Sequence, residues 1–173
     1  IYRRLKRKMQ ENIKGYFINW LQRAVPLFST IMFVLADFCG IRPMLGLSCV
    51  FFWLLYRPDM FNLFSVAFIG FLYDIFSAVP PGTYLLTFLA VYAIETKISG
   101  YISNKLFAIN FAVFGLVSLV AVLSEWGIIS IYNKKTLSFG EEFFNWLLTI
   151  CLYPLIAFIN LKIALCLQSE EDF

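Results

Sequence analysis

The chain has 173 residues, of which 61% are hydrophobic, 19% aromatic and only 14% charged. Soluble globular domains carry charges on about a quarter of their residues, so this composition excludes that class and predicts an integral membrane protein. At about 20 residues per crossing plus short loops, the length allows five or six helices and no additional soluble domain. The net charge of +3 matters less than its placement along the chain.

The residue types also limit the chemistry. The chain contains no histidine, which removes His-dependent hydrolases and most zinc and haem sites. The four cysteines lie in apolar runs without CxxC spacing, so we read them as small core residues. We therefore expect neither an enzyme nor a cofactor or metal site.

Residues 1–22 form a basic arm in which apolar residues recur about every fourth position. This pattern predicts a helix lying on an anionic lipid surface rather than a segment that binds nucleic acid. The alternative is a solvated basic tail that only sets orientation. The chain begins at Ile1, so we leave its natural start open, and we expect no cleaved signal peptide. The clustered basic residues are Arg3, Arg4, Lys6, Arg7 and Lys8.

Residues 23–173 are expected to form a single domain of six transmembrane helices. Pro and Gly, which interrupt helices, mark most of the boundaries. Arg-Pro pairs at Arg42 and Arg57 bracket the second helix, and Pro58 begins the stretch that leads into the third. The predicted spans are residues 24–40, 44–56, the stretch 57–82 ended by its Pro-Pro-Gly turn, 84 to about 95–99, 107–131 and 143–167.

The third span carries one carboxylate, Asp74, inside an apolar run. An acid at the centre of a spanning helix costs about 2.5–3.5 kcal/mol on insertion scales and is normally turned into the bundle. Ala67, Gly70 and Ser77 share its face at helical spacing, so that face is small and polar. Gly70 lies one turn away and allows close approach of another helix. We expect Asp74 to hydrogen-bond across that contact, with a purely structural role as the simpler interpretation.

Counting basic residues on alternate sides of six spans gives the orientation. Eleven fall on one side and three on the other, which predicts that both termini are cytoplasmic. This places Asp37, Asp74 and Glu125 in the outer half of the bilayer. Arg42 is the basic residue expected near them, and Arg57 and Pro58 are expected at the cytoplasmic interface.

Several short motifs occur in a fixed order. IRP precedes the second span and FFWLLYRP closes it, GFLYD lies in the third, PPG follows, and YP falls in the middle of the sixth. In this order the chain resembles the bacterial rod shape-determining protein family MreD from Ala24 onward. PPG replaces a more usual Pro-Leu-Gly type of turn, and the basic arm is longer than the resemblance requires. The resemblance implies a non-enzymatic inner-membrane scaffold of the cell-elongation machinery. Its implied partners are MreC, the MreB cytoskeleton and peptidoglycan synthases.

A second class fits the same layout. The substrate-binding components of energy-coupling-factor vitamin transporters are also six-helix membrane proteins. A pocket near Asp74 and Glu125 would suit a cationic or hydroxylated ligand. A cell-shape phenotype with MreC co-purification would favour the scaffold, whereas vitamin uptake with an ATPase partner would favour the transporter component.

Overall fold

A computed structural model describes residues 24–38, 43–58, 61–77, 79–102, 107–134 and 139–169. These ranges contain six α-helices and no β-strand, so the all-helical class predicted from the sequence is confirmed. The helices are α1 (Ala24–Asp37), α2 (Leu45–Tyr56), α3 (Leu63–Ser77), α4 (Thr83–Ile102), α5 (Phe107–Asn133) and α6 (Phe139–Ser169).

Most helix boundaries fall within a few residues of the predicted ones. The turn between α3 and α4 contains Pro80, Pro81 and Gly82, and Gly82 has a φ of +97°, a conformation that glycine adopts without strain. The clearest difference is at the end of α4. We predicted an end around residues 95–99, but the helix continues to Ile102, and Glu95 is buried in the protein interior.

Helix α2 is the centre of the bundle. Its ten residues from Gly46 to Leu55 are all buried, and it packs against α4, α5 and α6. Polar contacts hold it from two sides. The Trp53 indole N–H donates to the Ser29 hydroxyl of α1 at 3.1 Å, and the Asn160 amide of α6 donates to the Cys49 sulfur at 3.2 Å. At 12 residues α2 is only about 18 Å long, and it is enclosed by protein.

Polar and apolar side chains are distributed as in a membrane bundle. Many large apolar side chains point outward, with Phe64 and Ile131 as extremes at 85% and 80% exposure. Buried positions instead include carboxylates, hydroxyls and amides, such as Thr30, Thr87 and Asn160. This arrangement is expected where lipid faces the outside and polar groups find partners inside.

Of the described helices, two are long and apolar enough to cross a membrane, namely α5 and the part of α6 from Phe139 to Cys166. At 1.5 Å per residue, each exceeds the roughly 30 Å thickness of a hydrocarbon core. Helices α1 to α3 are apolar but shorter, with 10–17 residues each. The structure therefore indicates a membrane protein with at least two helices of spanning length.

Candidate functional site

Asp74 closes the contact between α3 and α4. Its carboxylate accepts backbone N–H groups from Gly82 and Tyr84, both at 2.8 Å, and from Leu85 at 3.4 Å. The first turn of a helix has N–H groups without partners inside the helix, and it carries a partial positive charge. An acid from α3 thus caps α4, and the pairing offsets both the buried charge and the unpaired donors.

Gly70 sits one turn earlier, where α3 meets the beginning of α4. A Cβ atom added to Gly70 would lie 2.8 Å from the Leu85 Cα and 3.1 Å from the Tyr84 carbonyl oxygen. Both of these are backbone atoms, which no rotamer change can move. The contact between the two helices at this point therefore requires glycine, and it brings the α4 backbone within reach of Asp74.

Asp37 of α1 caps the first turn of α2, as Asp74 caps α4. One carboxylate oxygen accepts the Leu45 N–H at 3.0 Å, and the other accepts the Gly46 N–H at 3.2 Å. The Tyr73 hydroxyl donates to Asp37 and accepts the Gly46 N–H at 3.0 Å. Tyr73 directly precedes Asp74 in α3, so neighbouring residues of one helix serve the caps of two others.

The two caps share a sequence pattern. Asp37 ends α1 and is followed six residues later by Pro43, and Asp74 lies near the end of α3 and is followed six residues later by Pro80. In each case the next helix begins two or three residues after the proline, and its first turn donates to the acid. The α1–α2 and α3–α4 pairs are thus two copies of one capping arrangement.

Aromatic and polar contacts connect these caps to α5. The rings of Tyr73 and Tyr84 lie 5.2 Å apart between centroids, and the Tyr84 hydroxyl hydrogen-bonds to Glu125 of α5. One turn further along α4, the Thr87 and Ser124 hydroxyls are 3.3 Å apart. We call Asp37, Tyr73, Asp74, Tyr84 and Glu125 the acid–tyrosine network. It ties α1 to α5 together at the end of the bundle where α2 and α4 begin.

A cavity of about 270 Å³ opens beside this network. Tyr84 and Glu125 line one side, and Asn145 and Thr149 of α6 line another, with Glu141 and Glu142 from the first turn of α6. In the described ranges, no three Cys, Asp or Glu side chains are arranged to hold a metal ion. The lining is acidic and rich in hydrogen-bonding groups, so its chemistry suits an organic cation or a polyhydroxylated molecule.

The structure places the sequence candidates as follows. Asp37, Asp74 and Glu125 are buried at one end of the bundle, and Gly70 lies at the α3–α4 contact. Arg57 and Pro58 follow the last residue of α2, at the opposite end from the network, with Arg57 partly buried and Pro58 exposed. Arg42 and the arm residues Arg3, Arg4, Lys6, Arg7 and Lys8 lie outside the described residues, so the Arg42 ion pair and the lipid-bound arm stay predictions.

The sequence did not lead us to Tyr73 and Tyr84 as members of the network. It also did not lead us to Glu141 and Glu142 as residues that line the cavity. The aspartate followed six residues later by proline, once after α1 and once after α3, is a sequence signal that could have predicted the paired caps. No local signal indicated that Tyr84 reaches Glu125, because that contact joins residues 41 positions apart.

Comparison with known proteins gives one informative match. Over 98 residues the chain is 34% identical to an uncharacterized protein of Rickettsia prowazekii strain Madrid E, and the match covers 57% of each chain. The matched region thus spans little more than half of that relative. No family model and no solved structure matches the chain.

Proposed function

We propose that this protein is a non-enzymatic scaffold subunit of the bacterial cell-elongation machinery, of the MreD type. Its helical bundle would present a fixed shape in the inner membrane to an MreC-type partner, and through it to MreB and peptidoglycan synthases. The order and spacing of the IRP, FFWLLYRP, GFLYD, PPG and YP motifs motivate this proposal.

The hydrogen bonds of Asp74 are the observation that supports the scaffold proposal. GFLYD and PPG lie on the two sides of one contact, and the carboxylate accepts the Gly82 N–H of the turn and two N–H groups from the first turn of α4. A carboxylate occupied in this way holds two helices in register, and it has little freedom to act as an acid or base. The motif that most suggests the family is thereby a device for holding bundle shape.

The proposal includes six membrane-embedded helices with both termini in the cytoplasm. The short helix α2 is compatible with it because α2 is enclosed by other helices, so its ends need not reach the lipid headgroups. A single cysteine at Asn133, in an otherwise cysteine-free variant, should react with an impermeant maleimide on intact cells. A matched cysteine at Glu171 should react only after lysis, and the reverse pattern would invert the orientation.

The functional test is purification of the tagged protein from its native membrane. We expect an MreC-type protein to co-purify, and depletion of the chain to turn rod-shaped cells round. Normal cell shape after depletion, together with no MreC in the purified material, would refute the scaffold proposal.

The cavity beside Tyr84 and Glu125 favours a second candidate, a membrane component that binds small molecules. Its volume of about 270 Å³ approaches the lower end of the range for ligand sites, about 300 Å³. For this candidate we expect a cationic vitamin such as thiamine to raise the unfolding temperature of the purified protein. Glu125→Gln should abolish that shift, whereas exchange of the outward-facing Phe64 for Leu should not.

A further inference from the structure

Glu95, in the second half of α4, differs from every carboxylate described above. The residue is 2% exposed, and neither carboxylate oxygen has a hydrogen-bond partner among the described residues. A buried polar atom without a partner is uncommon in folded proteins and calls for an explanation. The acid–tyrosine network does not reach this position, so the scaffold role of that network leaves Glu95 unexplained.

The position of Glu95 along α4 gives its depth in the bundle below the acid–tyrosine network. Glu95 comes 12 residues after the first residue of α4, and Arg57 comes 12 residues after the first residue of α2. Both helices begin at the acid–tyrosine network, so both residues lie about 18 Å below it. Tyr153 of α6 is within electrostatic range of Glu95, and its ring stacks on Phe114 at 4.1 Å between centroids.

Few charged or titratable groups face this level of the bundle. Helix α4 itself carries the half-buried Tyr92 and the exposed Lys97 near Glu95. Helix α2 contributes Tyr56 and Arg57, and α6 contributes Tyr153, which is in electrostatic range of Tyr56 as well. The titratable residues of α3 and Glu125 of α5 belong to the acid–tyrosine network. Tyr132 follows Glu125 by seven residues and is also distant from Glu95. Arg57 donates to neither Glu95 oxygen, and its own buried Nη2 atom has no hydrogen-bond partner. Within the described ranges, Glu95 therefore has neither a hydrogen-bond donor nor an ion-paired cation that would stabilise a carboxylate.

We propose that Glu95 is a proton-binding site inside the bundle. Its proton stays on the carboxyl group at neutral pH, since no donor or cation of the described residues is in place to stabilise the charged form. Ionisation requires a partner to approach, and Arg57 is a basic residue at the same depth with a buried, unused donor. The inference is independent of the scaffold proposal, because it concerns the half of α4 that the capping contacts leave free.

The first experiment uses the full chain in detergent and dicyclohexylcarbodiimide, an apolar reagent that adds to protonated carboxyl groups. Mass spectrometry should find the adduct on Glu95 at pH 7 at least tenfold above that on Asp74, whose carboxyl oxygens are occupied by three backbone N–H donors. Glu95→Gln, which keeps the shape of the neutral acid, should remove the adduct.

The second experiment does not depend on access of the reagent. The infrared spectrum of the wild type should contain a protonated-carboxyl C=O band that is absent from Glu95→Gln and shifts in D₂O. Identical spectra of wild type and variant in this region would overturn the proposal. Protection of Glu95 from the carbodiimide by sodium at constant pH would also overturn it, and would assign a metal cation in place of the proton.

Discussion

Helix α4 has two buried carboxyl groups associated with it, and they are in opposite situations. Asp74 of α3 is 7% exposed and accepts three backbone N–H groups at the beginning of α4. Glu95 within α4 is 2% exposed and accepts none from the described residues. In sequence both are single acids in apolar runs, and only their surroundings separate a helix cap from an unpartnered acid.

This comparison shows why a buried acid cannot be interpreted from burial alone. Removing one partner of a satisfied pair leaves buried donors unpaired, whereas removing an unpartnered group leaves nothing behind. Substitutions at Asp74 and Glu95 should therefore change stability in opposite directions. The following predictions test that difference, in order of decreasing expected effect.

Gly70→Leu should have the largest effect, because it separates Asp74 from its donors. Even a Cβ atom at Gly70 would lie 2.8 Å from the Leu85 Cα, and backbone cannot move aside. We expect destabilisation beyond the about 1–3 kcal/mol usual for overpacked cores, seen as loss of folded protein in size-exclusion chromatography. Gly127→Ala is the matched control, since nothing lies within 4 Å of its added Cβ. Equal loss in both variants would contradict the close-contact argument.

Asp74→Leu should come next. It leaves the N–H groups of Gly82, Tyr84 and Leu85 without their acceptor, at about 1–3 kcal/mol for each donor that water does not reach. The thermal unfolding midpoint, followed by tryptophan fluorescence in detergent, should fall clearly. Asp74→Asn keeps one acceptor oxygen, so its unfolding midpoint should fall less. A midpoint for Asp74→Leu at or above that of the wild type would show that the cap does not stabilise the bundle.

Tyr73→Phe should have a smaller effect. It removes a hydroxyl that donates to Asp37 and accepts the Gly46 N–H, but Asp37 keeps its own contacts with the first turn of α2. We expect a loss of about 1 kcal/mol in the same unfolding assay. Tyr132→Phe, at an exposed hydroxyl, should be neutral. A loss as large as that of Asp74→Leu would mean that the tyrosine, and not the acid, holds the α2 cap.

Glu95→Met should have the smallest effect and the opposite sign. It replaces an unpartnered carboxyl group by an apolar side chain of similar length, so stability should stay equal or rise by about 1 kcal/mol. A marked fall in the unfolding midpoint would indicate that Glu95 has a partner after all, and the contrast with Asp74 would disappear.

Much of the fold was predictable because the signals are local. Proline and glycine interrupt the apolar runs where helices end, and the spacing of Gly70, Asp74 and Ser77 identified a buried face of α3. Phe64, Phe68, Phe71 and Ile75 are exposed, as that face required. The end of α4 was predicted a few residues early, because Gly100 was taken as the beginning of the connection to the fifth span.

The partners of the acids were less predictable. We expected Asp74 to hydrogen-bond across the contact made close by Gly70, but not that its described partners would be backbone N–H groups at the start of the next helix. Every sequence contains such groups. Such a cap depends on the path of the turn through Pro80 to Gly82, and side-chain types do not encode it directly. The contact between Tyr84 and Glu125 likewise depends on how α4 and α5 pack, and neither residue signals it alone.

We infer that Asp74 acts through the shape of the bundle. Co-purification of the proposed MreC-type partner with Asp74 variants, measured beside protein level, separates this role from a direct role in chemistry. Protein level and partner recovery should fall together, strongly for Asp74→Leu and only slightly for Asp74→Asn. A stable Asp74→Asn protein that still binds its partner but no longer supports rod shape would contradict the claim. That result would give Asp74 a role in proton or ligand binding instead.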